Sequence, residues 1–114
     1  MNKRQMTKLH EGDAVRRFDD ERSFLVTANF GGRVTIVRTV DITNPSEWDV
    51  GKVEASQVRS ISDLCSGDLI SHRVTGHQYF VTSLLGDHAI GARTREITEN
   101  DCQHWEVVAK VRKQ

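Results

Sequence analysis

The chain has 114 residues, 37% of them hydrophobic, and a formal net charge of zero from 16 basic and 16 acidic side chains. That length suits one ordinary domain, or two very small units that must share apolar burial because a unit of half this size buries too little by itself. Each half is balanced as well, with nine charges of each sign in residues 1–55 and seven of each in residues 56–114, so no global field draws the chain to polyanions. No apolar run approaches the length of a bilayer span, and the start MNKRQMTKLHEGD lacks the apolar centre of a secretory signal. The expectation is a cytoplasmic protein that does not associate with membranes. Cys65 and Cys102 are too few for a disulfide framework, and in a reducing compartment both read as thiols used in packing.

In chain order, residues 1–8 read as a flexible lead. A first β-unit, 9–55, then opens on Gly12-Asp13 and turns at Asp19-Asp20-Glu21-Arg22. SFLVTAN is rich in aromatic and β-branched residues, and RVTIVRTV sets Val34, Ile36 and Arg38 against Thr35, Val37 and Thr39 at period two; both predict strands. Gly31-Gly32 between them predicts a hairpin turn, where glycine takes the positive φ that other residues avoid. Thr43-Asn44-Pro45 predicts a short helical turn, with Thr43 or Asn44 as cap and proline in the first turn. Trp48 follows and opens a last strand, WDVGKVEA.

Residues 56–63 read as a connector, and 64–114 as a second β-unit with the same order of parts. Gly67-Asp68 opens it, Thr75-Gly76-His77 and Gly86-Asp87 are its turns, QYFVTSL is its counterpart of SFLVTAN, Thr98 is a hydroxyl cap with Asp101 three residues on, and Trp105 opens WEVVAKVRK. Subtraction gives the relation directly. Leu9 and Leu64, Gly12-Asp13 and Gly67-Asp68, Val26-Thr27 and Val81-Thr82, Gly31 and Gly86, Arg38-Thr39 and Arg93-Thr94, and Ile42-Thr43 and Ile97-Thr98 are all 55 apart. These ten identities fall in one ungapped window of 35 positions, where random pairing would give about two. Trp48 and Trp105 are 57 apart, which places a two-residue insertion in the loop before the second tryptophan.

The fold class this implies is all-β and mainly antiparallel, two tandem units related by a pseudo-twofold axis and packed as one body, each with one short helical turn before its tryptophan. An opening Gly-Asp with an apolar residue, followed by strand, hairpin, strand, hairpin, strand, helical turn and strand within about 50 residues, resembles small SH3-like barrels, including the KOW type of nucleic-acid machinery. One merged eight-stranded barrel or sandwich is the rival architecture. Gly12-Asp13-Ala14-Val15-Arg16 also resembles the opening of the plasmid-borne type II dihydrofolate reductases, themselves SH3-like. That family's pore depends on a Val-Gln-Ile-Tyr strand, which this chain lacks, so the activity does not carry over.

For chemistry, the recurring Arg38-Thr39 and Arg93-Thr94 stand out. Two guanidinium groups converging on one groove would suit a phosphate, a carboxylate or an acidic surface, while the plainer reading sets each on the outer face of its strand against Asp41 or Glu96. Arg16, Arg17, Arg22, Arg33 and Arg38 crowd the first copy and, with Phe18, Phe24 or Phe30 exposed for stacking, would suit nucleic acid; Asp19, Asp20 and Glu21 oppose that. Four of the five histidines, His72, His77, His88 and His104, lie in the second copy, with no CxxC or HxxxH spacing to make a zinc site with Cys65 or Cys102. Ser66-Gly67-Asp68 with His72 has the residue types of a triad without the Gly-x-Ser-x-Gly elbow. Neither a phosphate-binding loop nor a dinucleotide fingerprint occurs. No cofactor and no metal are therefore expected, and Trp48 and Trp105 read as core.

The leading expectation is a non-catalytic bacterial or phage-type binding protein that docks onto a macromolecule, in the first place another protein. Its candidate contacts are Arg38, Thr39, Arg93, Thr94, Arg16, Arg17 and Arg33. Nucleic-acid binding through the arginines of the first copy is the alternative, and a small enzyme with a pocket lined by His72, His104 or the arginine pair the second. Fused copies suit a monomer, and exposed strand edges leave a homodimer open.

Overall fold

A computed structural model describes residues 1–51 and 54–111. Among these, α1 (Lys3–Thr7) precedes β1 (Ala14–Arg17), β2 (Ser23–Asn29), β3 (Arg33–Ile42), β4 (Trp48–Val50), β5 (Ser56–Gln57), β6 (Leu69–His72), β7 (Gln78–Leu84), β8 (Ala89–Thr98) and β9 (Trp105–Ala109). Short 3₁₀ helices occupy Pro45–Glu47, Ile61–Asp63 and Cys102–His104. The protein is all-β and mainly antiparallel, with strand order β5-β4-β6-β7-β8-β3-β2-β1-β9. The expected continuation of the last strand of the first copy through Lys52 and Val53, and of the second through Arg112 and Lys113, lies outside the described residues.

The chain forms two compact units, one of Met1–Arg38 with Thr94–Gln114 and the other of Thr39–Arg93. Their borders fall inside the ten-residue strands β3 and β8, between the arginine and the threonine of each recurring Arg-Thr pair. The unit boundaries therefore differ from the repeat boundaries read in the sequence. The long strands are the physical reason: β3 carries the chain out of the first unit before its helical turn and tryptophan are reached, and β8 brings it back.

In the first unit the core joins Met6, Leu9, Val15, Phe24, Val26, Val34 and Ile36 to Ile97, Cys102 and Trp105. β1 pairs with β2 on one side and with β9 on the other, Val15 opposite Val107 and Arg17 opposite Trp105. The Phe24 and Trp105 rings meet edge to face at 5.8 Å. Phe24 and Val26 point inward and Leu25 outward, the period-two consequence of a pleated strand.

The second unit is likewise built on paired antiparallel strands and a buried tryptophan. Its core joins Ile42 and Trp48 to Val58, Ile61, Leu64, Ile70, Tyr79, Val81 and Ala89. β6 pairs with β7 and with β4, Trp48 standing opposite His72. Trp48 and Tyr79 meet edge to face at 5.7 Å. Backbone bonds recur at the same offset: Gly12 N–H to Val26 C=O and Gly67 N–H to Val81 C=O, and Phe30 to Arg33 and Leu85 to His88 at the hairpins. Both hairpins carry a register shift at the matched threonine, Thr27 in β2 and Thr82 in β7. In the core, Gly91 stands 55 residues after the buried Ile36, and a Cβ there would lie 3.1 Å from Tyr79 Cβ and 3.3 Å from Val40 Cγ1.

Within residues 1–8, expected as a flexible lead, Lys3–Thr7 form α1 with Met6 fully buried. Asn2 accepts the Gln5 N–H and the Gln5 side chain accepts the Asn2 N–H, a capping box, while the Met1 ammonium donates to Trp105 C=O at 2.6 Å. The connector 56–63 likewise packs, with Val58 and Ile61 buried. Both segments look polar because each contributes its few apolar side chains singly rather than as a run. The helical turn at Pro45–Glu47 is capped by Asn44, which accepts the Ser46 N–H. At the second turn the capping is reversed, since Asp101 accepts from both the N–H and the hydroxyl of Thr98.

Candidate functional site

Four arginines of the first copy, Arg16, Arg17, Arg22 and Arg33, end on acids of their own unit. Arg16 on β1 pairs with Glu106 on β9, the strand beside it. Arg17 Nε lies 3.0 Å from Asp19, and Arg33 Nε lies 3.7 Å from Glu96 while its guanidinium covers the Phe30 ring at 5.3 Å. Arg22 binds Asp20 through Nε and Nη2, both at 3.0 Å. Side-chain bonding from Arg22, aided by the nearby charge of Arg38, holds the Asp20 carboxyl down at about 2.

Arg38 does not lie on the outer face as the plainer reading expected. It shares strand parity with the buried Val34, Ile36 and Ile42, is half-buried, and belongs to the first unit. Arg93 shares parity with the buried Ala89, Gly91 and Ile97 and belongs to the second, where its Nη1 lies 2.7 Å from His77 Nδ1. Thr39 and Thr94 are exposed. The buried Asp13 of the opening turn accepts the N–H groups of His10 and Val111; burial raises its pKa, but these bonds and the charge of Lys110 bring it below the ordinary value.

The triad residue types are not assembled. Ser66 donates to Thr82 C=O, Asp68 accepts the Cys65 N–H, and His72 packs edge to face on Trp48 at 5.0 Å. Its Nδ1 accepts from the N–H groups of Val74 and Thr75. Among the described residues no three His, Cys, Asp or Glu side chains gather as metal ligands. Cys102 is buried with its thiol donating to Glu99 C=O, and Cys65 is exposed. Surface depressions of about 490 and 480 Å³ lie one in each unit, beside Met1, Phe18 and Cys102 in the first and beside Val50, Val58 and Asp63 in the second. Neither is lined by His72, His104, Arg38 or Arg93. Among the described residues no helix is long and apolar enough to cross a membrane.

Apolar side chains left outside the cores form a second pattern. Leu25 and Phe80 stand 55 residues apart, and each is 51% exposed. Cross-strand register sets Leu25 between Ala14 and Val37, and Phe80 between Leu69 and Ala92, so each unit shows one short apolar row on its outer sheet face. At the hairpins the matched pair Phe30 and Leu85 is also exposed. Leu25 and Phe80 were legible in the sequence as the out-of-phase apolar residues of SFLVTAN and QYFVTSL, a signal masked by the aromatic and β-branched character that identified the strands.

Comparison with protein-family models, with curated proteins and with solved structures finds no match for this chain.

Proposed function

We propose that this is a non-catalytic binding protein that docks onto another protein through the outer sheet faces of its units. One observation carries the reading: large apolar side chains stay exposed at matched places in both units, Leu25 with Phe80 and Phe30 with Leu85. Single exposed hydrophobes are ordinary on any surface. Their recurrence at the repeat offset, each flanked by half-buried apolar neighbours on the adjoining strands, is what a partner surface needs. Four of the five arginines that would draw nucleic acid, Arg16, Arg17, Arg22 and Arg33, are engaged by Glu106, Asp19, Asp20 and Glu96, which supports a protein partner over a polyanion. The unmatched residue types of a triad support binding over catalysis. The SH3-like resemblance belongs to the same reading, since small barrels of that kind serve as docking modules.

Nucleic-acid binding stays as a second reading on one specific observation. Phe30 is exposed with Arg33 over its ring at 5.3 Å, a stacking platform with a cation beside it. The test is capture from extract of the native cell, with and without nuclease, by the wild-type chain and by a Leu25→Glu, Phe80→Glu double variant. A defined protein retained across a salt series and lost in the double variant is the expected result. Retention that disappears with nuclease, or falls steeply with salt, would move the function to nucleic acid.

A further inference from the structure

The units differ at the turn before their central hairpin. In the first, Asp20 sits in that turn, its Oδ1 accepting the Arg22 N–H at 3.0 Å, its carboxylate gripped by the Arg22 guanidinium, with the charge of Arg38 acting on it from β3. Adding 55 to each number gives Thr75, His77 and Arg93. The second unit keeps the local geometry, with Thr75 Oγ1 accepting the His77 N–H at 3.3 Å. It replaces the carboxylate by a hydroxyl and the gripping arginine by an imidazole, while the β8 arginine is retained.

The chemistry left at this place is that of a donor set. A guanidinium donates and never accepts, so in the 2.7 Å contact Arg93 Nη1 donates to His77 Nδ1, which fixes the plane of the guanidinium and uses one of its five N–H groups. Thr75 Oγ1 accepts the His77 N–H through a lone pair, so its own hydroxyl proton remains to be given. Arg93 is half-buried, where an ionic hydrogen bond is worth more than in open water. From this comparison we infer that Thr75 and Arg93, with His77 orienting the guanidinium, bind a carboxylate supplied from outside, in the place that Asp20 fills from within the chain. A planar carboxylate matches the guanidinium fork, and it is the group this turn holds in the first unit. The inference rests on the protein-docking reading only for the source of that group, an acidic side chain of the partner; the site itself is a property of the second unit.

Sodium acetate is the direct probe, added to the full chain at constant ionic strength against sodium chloride while the amide signals of Thr75 and His77 and the side-chain Nε–H of Arg93 are followed by NMR. The site predicts a saturable shift of these three signals. It also predicts loss of that response in Arg93→Gln and in Thr75→Asp, the latter because the turn then carries its own carboxylate as Asp20 does. Thr75→Asp restores a pairing that the first unit already uses, so it keeps the test open should Arg93→Gln fold poorly. The absence of a saturable shift, or an unchanged one in Thr75→Asp, overturns the inference. Saturation by inorganic phosphate without saturation by acetate overturns the carboxylate assignment. An acetate response in a chain that retains no partner protein would leave the site standing and remove the docking reading.

Discussion

Asp13 in the first unit accepts one N–H from its own turn and one from Val111, 98 residues further on, whereas Asp68 accepts the N–H of Cys65 within its turn. Gly12 and Gly67 show the same contrast. Both have φ near +94°, but a Cβ on Gly12 would lie 2.8 Å from Val111 Cγ2, while one on Gly67 would meet nothing within 4 Å. The Gly-Asp motif thus has two jobs. In both units it makes the bend into the first strand of the hairpin, and in the first it also seats the chain beyond β9. A motif kept in two copies need not have equal energetic weight in both, and substitutions at matched positions measure the difference.

The largest effect is expected at the tryptophans. Trp105→Ala and Trp48→Ala should each cost about 3–5 kcal/mol in denaturant unfolding, since each ring fills a core against Phe24 or Tyr79. Conservative changes should separate them: among the described residues Trp105 Nε1 is buried without a hydrogen-bond partner, so Trp105→Phe removes an unmet donor along with the lost packing. Next, Asp13→Ala should cost about 2–3 kcal/mol by orphaning two N–H groups and Asp68→Ala about 1 kcal/mol, with amide exchange at Val111 rising in the first variant alone. Gly12→Ala should follow at about 2 kcal/mol, strain plus overlap, against about 1 kcal/mol for Gly67→Ala, strain alone.

The smallest effect is on pH dependence. Asp20 titrates near 2 in the folded chain, below the ordinary aspartate value, so its contribution is complete above the unfolded value and is lost as pH falls through about 2. Its worth is about 1 kcal/mol once solvent screening of a partly exposed pair is allowed for. Comparing Asp20→Asn with wild type in urea melts at pH 6 and pH 2 should show a gap at the higher pH that closes at the lower. A gap of equal size at both would mean that Asp20 acts by packing rather than charge.

Strand content, both hairpin turns, the helical turns before the tryptophans and the recurrence at 55 residues could be read from period-two patterns, glycine placement and subtraction. Chain path could not. Nothing in RTVDIT or RTREIT distinguishes a strand that turns back into its own unit from one that continues into the other, because both need the same alternation. α1 was hidden for a related reason: its helix is five residues long and its anchor is a single methionine, too little for a periodic signal. At the candidate site, sequence located the arginines but not their partners. Arg16 reaches Glu106 over a separation of 90 residues, and Arg93 meets His77 rather than an acid. The matched Leu25 and Phe80 went unread because an apolar residue in a strand is assigned inward by default.

Each compact unit is assembled from both copies, so that the aromatic of one hairpin packs on the tryptophan of the other copy. Assigned aromatic proton spectra decide it. Ring-to-ring cross-peaks are expected between Phe24 and Trp105 and between Tyr79 and Trp48. Cross-peaks between Phe24 and Trp48, or between Tyr79 and Trp105, would show each copy closing on itself and would contradict it.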